Sequence, residues 1–159
     1  MSLEKVKTIS EIEKISERLK KENKKIITTN GVFDILHSGH VDYLEKSKKL
    51  GDILIVLLNS DNSVRKIKGE KRPIIPEGER ASLLSALECV DYVVIFNDEK
   101  PLSYLSRIKP DIHTKAAEVS GETRNIISEW GGKYEIIGKV EGMSTTKIIE
   151  EVIKKFCRD

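Results

Sequence analysis

Thr29-Asn30-Gly31-Val32-Phe33-Asp34-Ile35-Leu36-His37-Ser38-Gly39-His40 joins an apolar strand to an amphipathic helix through two histidines separated by a small residue and a glycine. Before it, Lys24-Lys25-Ile26-Ile27-Thr28-Thr29 is a short β-branched run that suits a buried strand; after it, Val41, Leu44 and Leu50 recur at roughly helical spacing. The stretch is therefore a strand-to-helix turn. In open α/β sheets such turns, at the carboxyl ends of the strands, are where ligands bind. A helix beginning near Ser38 directs unpaired N–H groups and the positive end of its dipole into that crevice, which favours a phosphate. Gly31 and Gly39 let backbone approach a ligand where a Cβ would collide. His40 falls in the first helical turn, where the dipole disfavours an imidazolium and a docked anion would reverse the penalty.

The flanking sequence extends the pattern. Leu50-Gly51 ends the helix, with glycine as the expected left-handed C-terminal residue. Ile53 to Leu58 is apolar at every position, as a strand covered on both faces should be. Strand, helix and strand make a βαβ unit with a right-handed crossover. Tyr92 to Phe96, Pro110 to Lys115 and Tyr134 to Ile137 read as three further strands. Helices are expected behind Pro76 through Arg80, Leu83, Leu84 and Leu87, behind Pro101 through Leu102, Leu105 and Ile108, and along Ile126, Ile127 and Trp130. At the front, Ser10-Glu11-Ile12-Glu13 has the form of a capping box, and Ile12, Ile15 and Leu19 trace an apolar stripe behind it. The expected class is α/β, a three-layer, Rossmann-like open sheet of five mainly parallel strands with helices on both faces. One domain is expected over residues 1–159, with an N-terminal helix in 1–23 and the core in 24–159.

Charged residues make up 34% of the chain and nearly cancel, leaving a formal charge of +2 with lysines spread along several helices. Nucleic-acid binding, which demands a concentrated basic face, is not expected. Cys89 and Cys157 follow no metal spacing and give no disulfide framework, which fits a reducing interior. Met1 leads into Lys-rich polar sequence, and the longest apolar run is too short to span a bilayer, so the expectation is a cytoplasmic protein with no membrane partner.

Two other stretches bear on chemistry. Between Asn62 and Glu79 the sequence is basic and irregular, with Arg65, Lys66, Lys68, Lys71 and Arg72 crowded before Pro73 and Pro76; a loop of cations beside a phosphate site is what a lid would need. Near the C-terminus, Ser144 is an expected N-cap of a last helix. A capping box would place Glu where Lys147 stands, and a cation in a first turn opposes the dipole unless an anion sits nearby. Asp61 closes the second strand at the same edge as the histidines, either to meet a nucleotide ribose or simply to form the turn. His113 and Trp130 read as packing residues.

GVFDILHSGH resembles the His-x-Gly-His signature of the cytidylyltransferase-like nucleotidyltransferases. The fuller TNGVFDILHSGHVDYLEKSKKLGD is similar to the adenylyltransferase domain that makes ADP-heptose, and the similarity runs from about Lys25 to the C-terminus. The resemblance implies transfer of AMP from ATP to a sugar 1-phosphate, with His37, His40, Lys68 and Lys147 as catalytic groups and Mg²⁺ carried mainly by the nucleotide phosphates. It implies nucleotide contacts from Asn30, Gly31, Val32, Phe33, Asp34, Gly39 and Asp61, and from Ser144, Thr145 and Thr146 as a second phosphate motif. Acceptor contacts are implied for Asp34, Arg80 and Lys115, and a homodimer for the assembly. Where the relatives commonly read Lys-Gly-Gly-Asp, this chain has Lys115-Ala116-Ala117-Glu118, so acceptor choice, ribose contact and activity itself are open at that point. Glycerol 3-phosphate cytidylyltransferase, FAD-forming adenylyltransferase and a nucleotide-binding module without turnover are the alternatives.

Overall fold

The computed structural model describes residues 3–117, 121–138 and 142–157. Five strands form one sheet: β1 (Ile26–Gly31), β2 (Ile53–Asn59), β3 (Tyr92–Phe96), β4 (Ile112–Lys115) and β5 (Lys133–Ile136). Their order is β3-β2-β1-β4-β5 and every pairing is parallel, Ile26 facing Ile53 and Ile27 facing Ile112 across β1. The chain steps outward from β1 to β3 and then returns to the other side of β1. That reversal puts a topological switch between β1 and β4, and a crevice opens beyond their carboxyl ends.

The helices are α1 (Ile9–Lys21), α2 (Ser38–Lys48), α3 (Asp61–Lys68), α4 (Glu77–Ser85), α5 (Leu102–Ile108), α6 (Gly121–Ser128) and α7 (Thr145–Phe156). Alternation along β2 sorts the core into two layers. Leu54, Val56 and Leu58 pack with Tyr43 and Leu44 of α2 and Ala81 and Leu84 of α4. Ile55 and Leu57 pack on the other face with Ile12 and Leu19 of α1, Leu105 and Ile108 of α5 and Ile127 of α6. None of the helices is long and apolar enough to cross a membrane, among the described residues.

Three local expectations are corrected. The capping box lies two residues earlier than expected, with Thr8 and Glu11 exchanging bonds so that α1 opens at Ile9. Gly51 is not a left-handed cap, since α2 ends at Lys48; a Cβ there would come within 2.8 Å of the Ile27 side chain and 2.9 Å of the Lys25 carbonyl. The basic stretch is not irregular throughout. Ser60 accepts the Ser63 N–H and opens α3, and the long basic side chains are good helix formers. Only the segment after Gly69 is a loop, and it is tied down by a buried Asp34, which accepts from the Ile74 and Ile75 N–H groups and from Arg72 Nε at 2.5 Å.

Candidate active site

The turn after β1 is built as a ladder of rings. Gly31 has no side chain, and the space a Cβ would take is occupied by the Phe33 ring, 2.9 Å from that position. Phe33 itself has φ of 46°, a left-handed conformation that a bulky residue adopts only when its surroundings hold it there. Its ring meets His40 edge-on with centroids 5.2 Å apart. His40 stacks on His37 at 3.7 Å and 22°. His37 in turn lies over Gly39, where a Cβ would stand 3.0 Å from Nδ1 and 3.2 Å from the Met143 side chain. The two glycines therefore make room for protein rings.

Burial, and then the neighbouring His37, push the His40 pKa down to about 4, and burial lowers that of His37. Both rings are neutral at pH 7. Each Nδ1 is buried without a hydrogen-bond partner among the described residues. An unpartnered lone pair is cheaper to bury than an unpartnered N–H, so the proton belongs on Nε2, the nitrogen left to the open side.

That open side is a cavity of about 470 Å³ lined by Asn30, Gly31, Val32, Phe33, His37, Gly39, His40, Tyr43, Lys68, Lys115, Ala116, Ala117, Gly138, Met143, Ser144 and Thr145. A second lobe of about 590 Å³ continues from it past Asp34, Asn59, Arg72 and Lys100 to Thr146. Segments more than 100 residues apart in sequence thus face each other across one cleft. On the far wall Ser144 caps α7, accepting the Lys147 N–H at 3.2 Å, and the Thr145 hydroxyl lies 3.5 Å from the Ile35 carbonyl. Two helix N-termini, those of α2 and α7, bound the same space.

Three expected site residues are placed elsewhere. Arg80 is 1% exposed, and its guanidinium donates to the carbonyls of Ile75, Val32 and Asn59 and to Asp61 at 2.7 Å. It braces the floor from below and does not reach the cleft. Asp61 lines neither lobe; it is the first residue of α3 and the ion partner of Arg80. Lys147 lines a shallow groove with Met143, Ile148 and Val152, not the histidine cleft, because it sits two residues on from Thr145, roughly 200° around the helix axis. Asp34 borders the second lobe, with its carboxylate engaged by Arg72 and the 74–75 backbone. Lys68 and Lys115 both line the cleft, Lys115 with Nζ 3.1 Å from the Asn30 side-chain oxygen.

Trp130 donates to the Pro110 carbonyl and packs against the lower core layer, as expected of a packing residue, and His113 is fully buried between Thr28 and Asn30. The sequence reading passed over Phe33 as an organiser of the rings, Arg72 as the partner of Asp34, and Met143 and Tyr43 as lining. A glycine two residues before an aromatic was the signal for the first. Of the Ala116-Ala117-Glu118 departure, the two alanines line the cleft; Glu118 lies outside the described residues, as does Glu141 before the last helix.

Residues 28–153 match the profile of the family described as cytidylyltransferase-like. The bifunctional protein HldE of Pelobacter propionicus is 46% identical over 155 residues, which is 96% of this chain and 32% of that protein. HldE of Helicobacter pylori J99 is 49% identical over 141 residues, 89% of this chain and 30% of the relative. The chain thus spans about a third of the length of these curated relatives. Among solved structures, a lipopolysaccharide core biosynthesis protein from Thermoplasma volcanium superposes with a TM-score of 0.63 at 33% identity, covering 74% of this chain and 97% of that one. A pantoate-beta-alanine ligase from Francisella tularensis gives 0.59 at 14% identity over 97% of this chain and 79% of its own, a likeness of fold alone.

Proposed function

Given that the chain belongs to the cytidylyltransferase-like family and is a nucleotidyltransferase, we propose that it transfers AMP from ATP to a sugar 1-phosphate, D-glycero-D-manno-heptose 1-phosphate foremost, giving ADP-sugar and pyrophosphate. The likeness to the HldE proteins supports the acceptor class. The observation that carries the reading is the pairing of two helix N-termini, one bearing stacked neutral imidazoles and the other Ser144 and Thr145, across one cleft with Lys68 and Lys115.

A sugar phosphate is already ionised at neutral pH, so the reaction needs no base to make its nucleophile. An acceptor oxygen attacks the α-phosphorus, and the bond to the bridging oxygen breaks with its electron pair leaving on pyrophosphate. The task of the protein is to hold two polyanions in line and to stabilise charge that grows on the α-phosphoryl oxygens. The Nε2–H groups of His37 and His40 are neutral donors fixed in place for that charge. Lys68, the Ser144 and Thr145 hydroxyls and the α7 N-terminus would hold the departing phosphates.

Among the described residues no three His, Cys, Asp or Glu side chains gather to hold a metal. The cleft offers cations and hydroxyls, so Mg²⁺ would arrive on the phosphate oxygens and supply charge neutralisation there. We take residues 1–159 to act as one cytoplasmic domain, where ATP and sugar phosphates are found. A homodimer fits the outer face of α7, where Val152, Ile153 and Phe156 stand exposed. Light scattering should give a dimer for the wild type and a monomer for Phe156→Glu; a monomeric wild type ends that part.

The decisive assay is pyrophosphate release from ATP or CTP with Mg²⁺ against a panel of acceptors including heptose 1-phosphate, other sugar 1-phosphates, glycerol 3-phosphate and FMN. ATP with the heptose phosphate should be fastest. Release with CTP and glycerol 3-phosphate, or with ATP and FMN, would replace the assignment with one of those transferases. ATP binding without release for any acceptor would leave a binding module.

A further inference from the structure

His113, in the middle of β4, is completely buried yet lies one residue from the cleft wall through its partners. Its Nδ1 is 2.8 Å from the Thr28 hydroxyl and its Nε2 is 3.2 Å from the side-chain oxygen of Asn30, the residue at which β1 enters the cleft. Lys115 Nζ also approaches that oxygen, at 3.1 Å.

These contacts fix every proton in the chain. An ammonium can only donate, so the Asn30 atom facing Lys115 is its carbonyl oxygen. An oxygen that accepts from Lys115 can only accept from His113 as well, so His113 carries its proton on Nε2. The ring is neutral, burial and then Lys115 having pushed its pKa down to about 3. Nδ1 is therefore a lone pair and takes the Thr28 hydroxyl proton. With its oxygen held by two donors, the Asn30 amide is locked with Nδ2 turned the other way, and no described residue accepts from that NH₂.

We propose that His113 is a positioning residue that, with Lys115, locks the Asn30 side chain so that its NH₂ donates to a phosphoryl oxygen of a substrate in the cleft. Asn30 lines both lobes, so the oxygen comes either from the nucleotide or from the sugar phosphate. The inference rests on the transferase reading above, and deepens it by naming a donor and what aims it.

The first test needs no substrate. Imidazole ¹⁵N shifts of the free protein should show His113 as the neutral Nε2–H tautomer; an Nδ1–H tautomer, or an imidazolium at pH 7, overturns the proposal. The second is kinetic. Asn30→Asp keeps both acceptor contacts and replaces the donor by a negative oxygen, and should lower kcat/KM about 100-fold. His113→Phe, checked by thermal melting to be folded, should lower it about tenfold, His113→Gln should recover most of that loss, and His113→Phe added to Asn30→Asp should cost nothing further. A rise in KM for ATP assigns the oxygen to the nucleotide, and a rise in KM for the sugar phosphate assigns it to the acceptor. Wild-type parameters for His113→Phe, or full additivity in the double variant, overturn the proposal. A wild type that releases no pyrophosphate with any acceptor would instead remove the transferase reading and leave the tautomer result standing.

Discussion

The two walls of the cleft are built to different standards. On one side α2 is anchored by Tyr43, Leu44 and Ser47, all buried, and the Tyr43 hydroxyl is bonded to Thr29 at 2.6 Å and to Thr114 at 3.2 Å beneath the site. On the other side α7 has a strongly apolar stripe but no buried residue. The imidazole wall is thus part of the core, and the hydroxyl wall is a cap attached to it. Groups that meet growing charge must be held before the reaction begins, whereas groups that hold a leaving polyphosphate have to admit and release it. Elements with few buried contacts open at lower free energy than the core, so α7 is where opening is cheap.

The largest expected effect is chemical and sits on the rigid wall. His40→Ala should lower kcat by about 100- to 1,000-fold, the usual consequence of removing one preorganised donor to a transition-state charge, while ATP affinity by calorimetry changes little. Equal turnover in the variant would strip the ring ladder of its role. A stability contrast should follow in size. Leu44→Ala, in the fully buried seat of α2, should cost about 2–5 kcal/mol by denaturant unfolding. Ile153→Ala on α7, 53% exposed, should stay within about 0.5 kcal/mol when measured at dilutions where the chain is monomeric. Similar losses at the two positions would show that the walls are equally integrated.

A smaller effect separates local from global order. Ser144→Ala removes the N-cap of α7 and should weaken that helix by about 1 kcal/mol. Amide hydrogen exchange should speed up in α7 and stay unchanged in α2, and KM for ATP should rise with kcat nearly kept. Faster exchange in both helices would mean that α7 and the core open together.

The sequence showed the rigid wall more clearly than the attached one, for the same reason. Buried β-branched strands and a helix start at Ser38 follow from local pattern, and so did the five strands and the Ser144 cap. Long-range partners do not have such a pattern. That Arg80 turns inward to the Val32 and Asn59 carbonyls and Asp61, and that Asp34 ties down the 74–75 backbone, depends on elements 19 to 48 residues away. Lys147 differs by another route: its type and position fit a phosphate motif, and two residues on from Thr145 the helix sets it along the groove with Met143 and Val152. Phe33 was legible only in part, because a positive φ at a phenylalanine is set by packing against Gly31 and His40 and not by its own propensity.

The finest distinction between the walls is one of protonation. His40 titrates near 4 in the folded chain against 6.5 for a free imidazole, so between those values the unfolded state binds the extra proton. Its contribution to stability is therefore complete above about pH 6.5 and is lost as the pH falls toward 4. A polyphosphate docked at the α2 N-terminus favours the imidazolium and moves the pKa back up. ATP binding near pH 5.5, inside that window, should take up protons, with affinity increasing as the solution is acidified from neutrality. Calorimetry in buffers of different ionisation enthalpy reads that uptake directly. His40→Ala should reduce it, while Ser144→Ala, on a wall whose hydroxyls do not titrate in this range, should leave the proton count as it was and change only the affinity. A proton count unaltered by His40→Ala would place the anion away from the ring ladder.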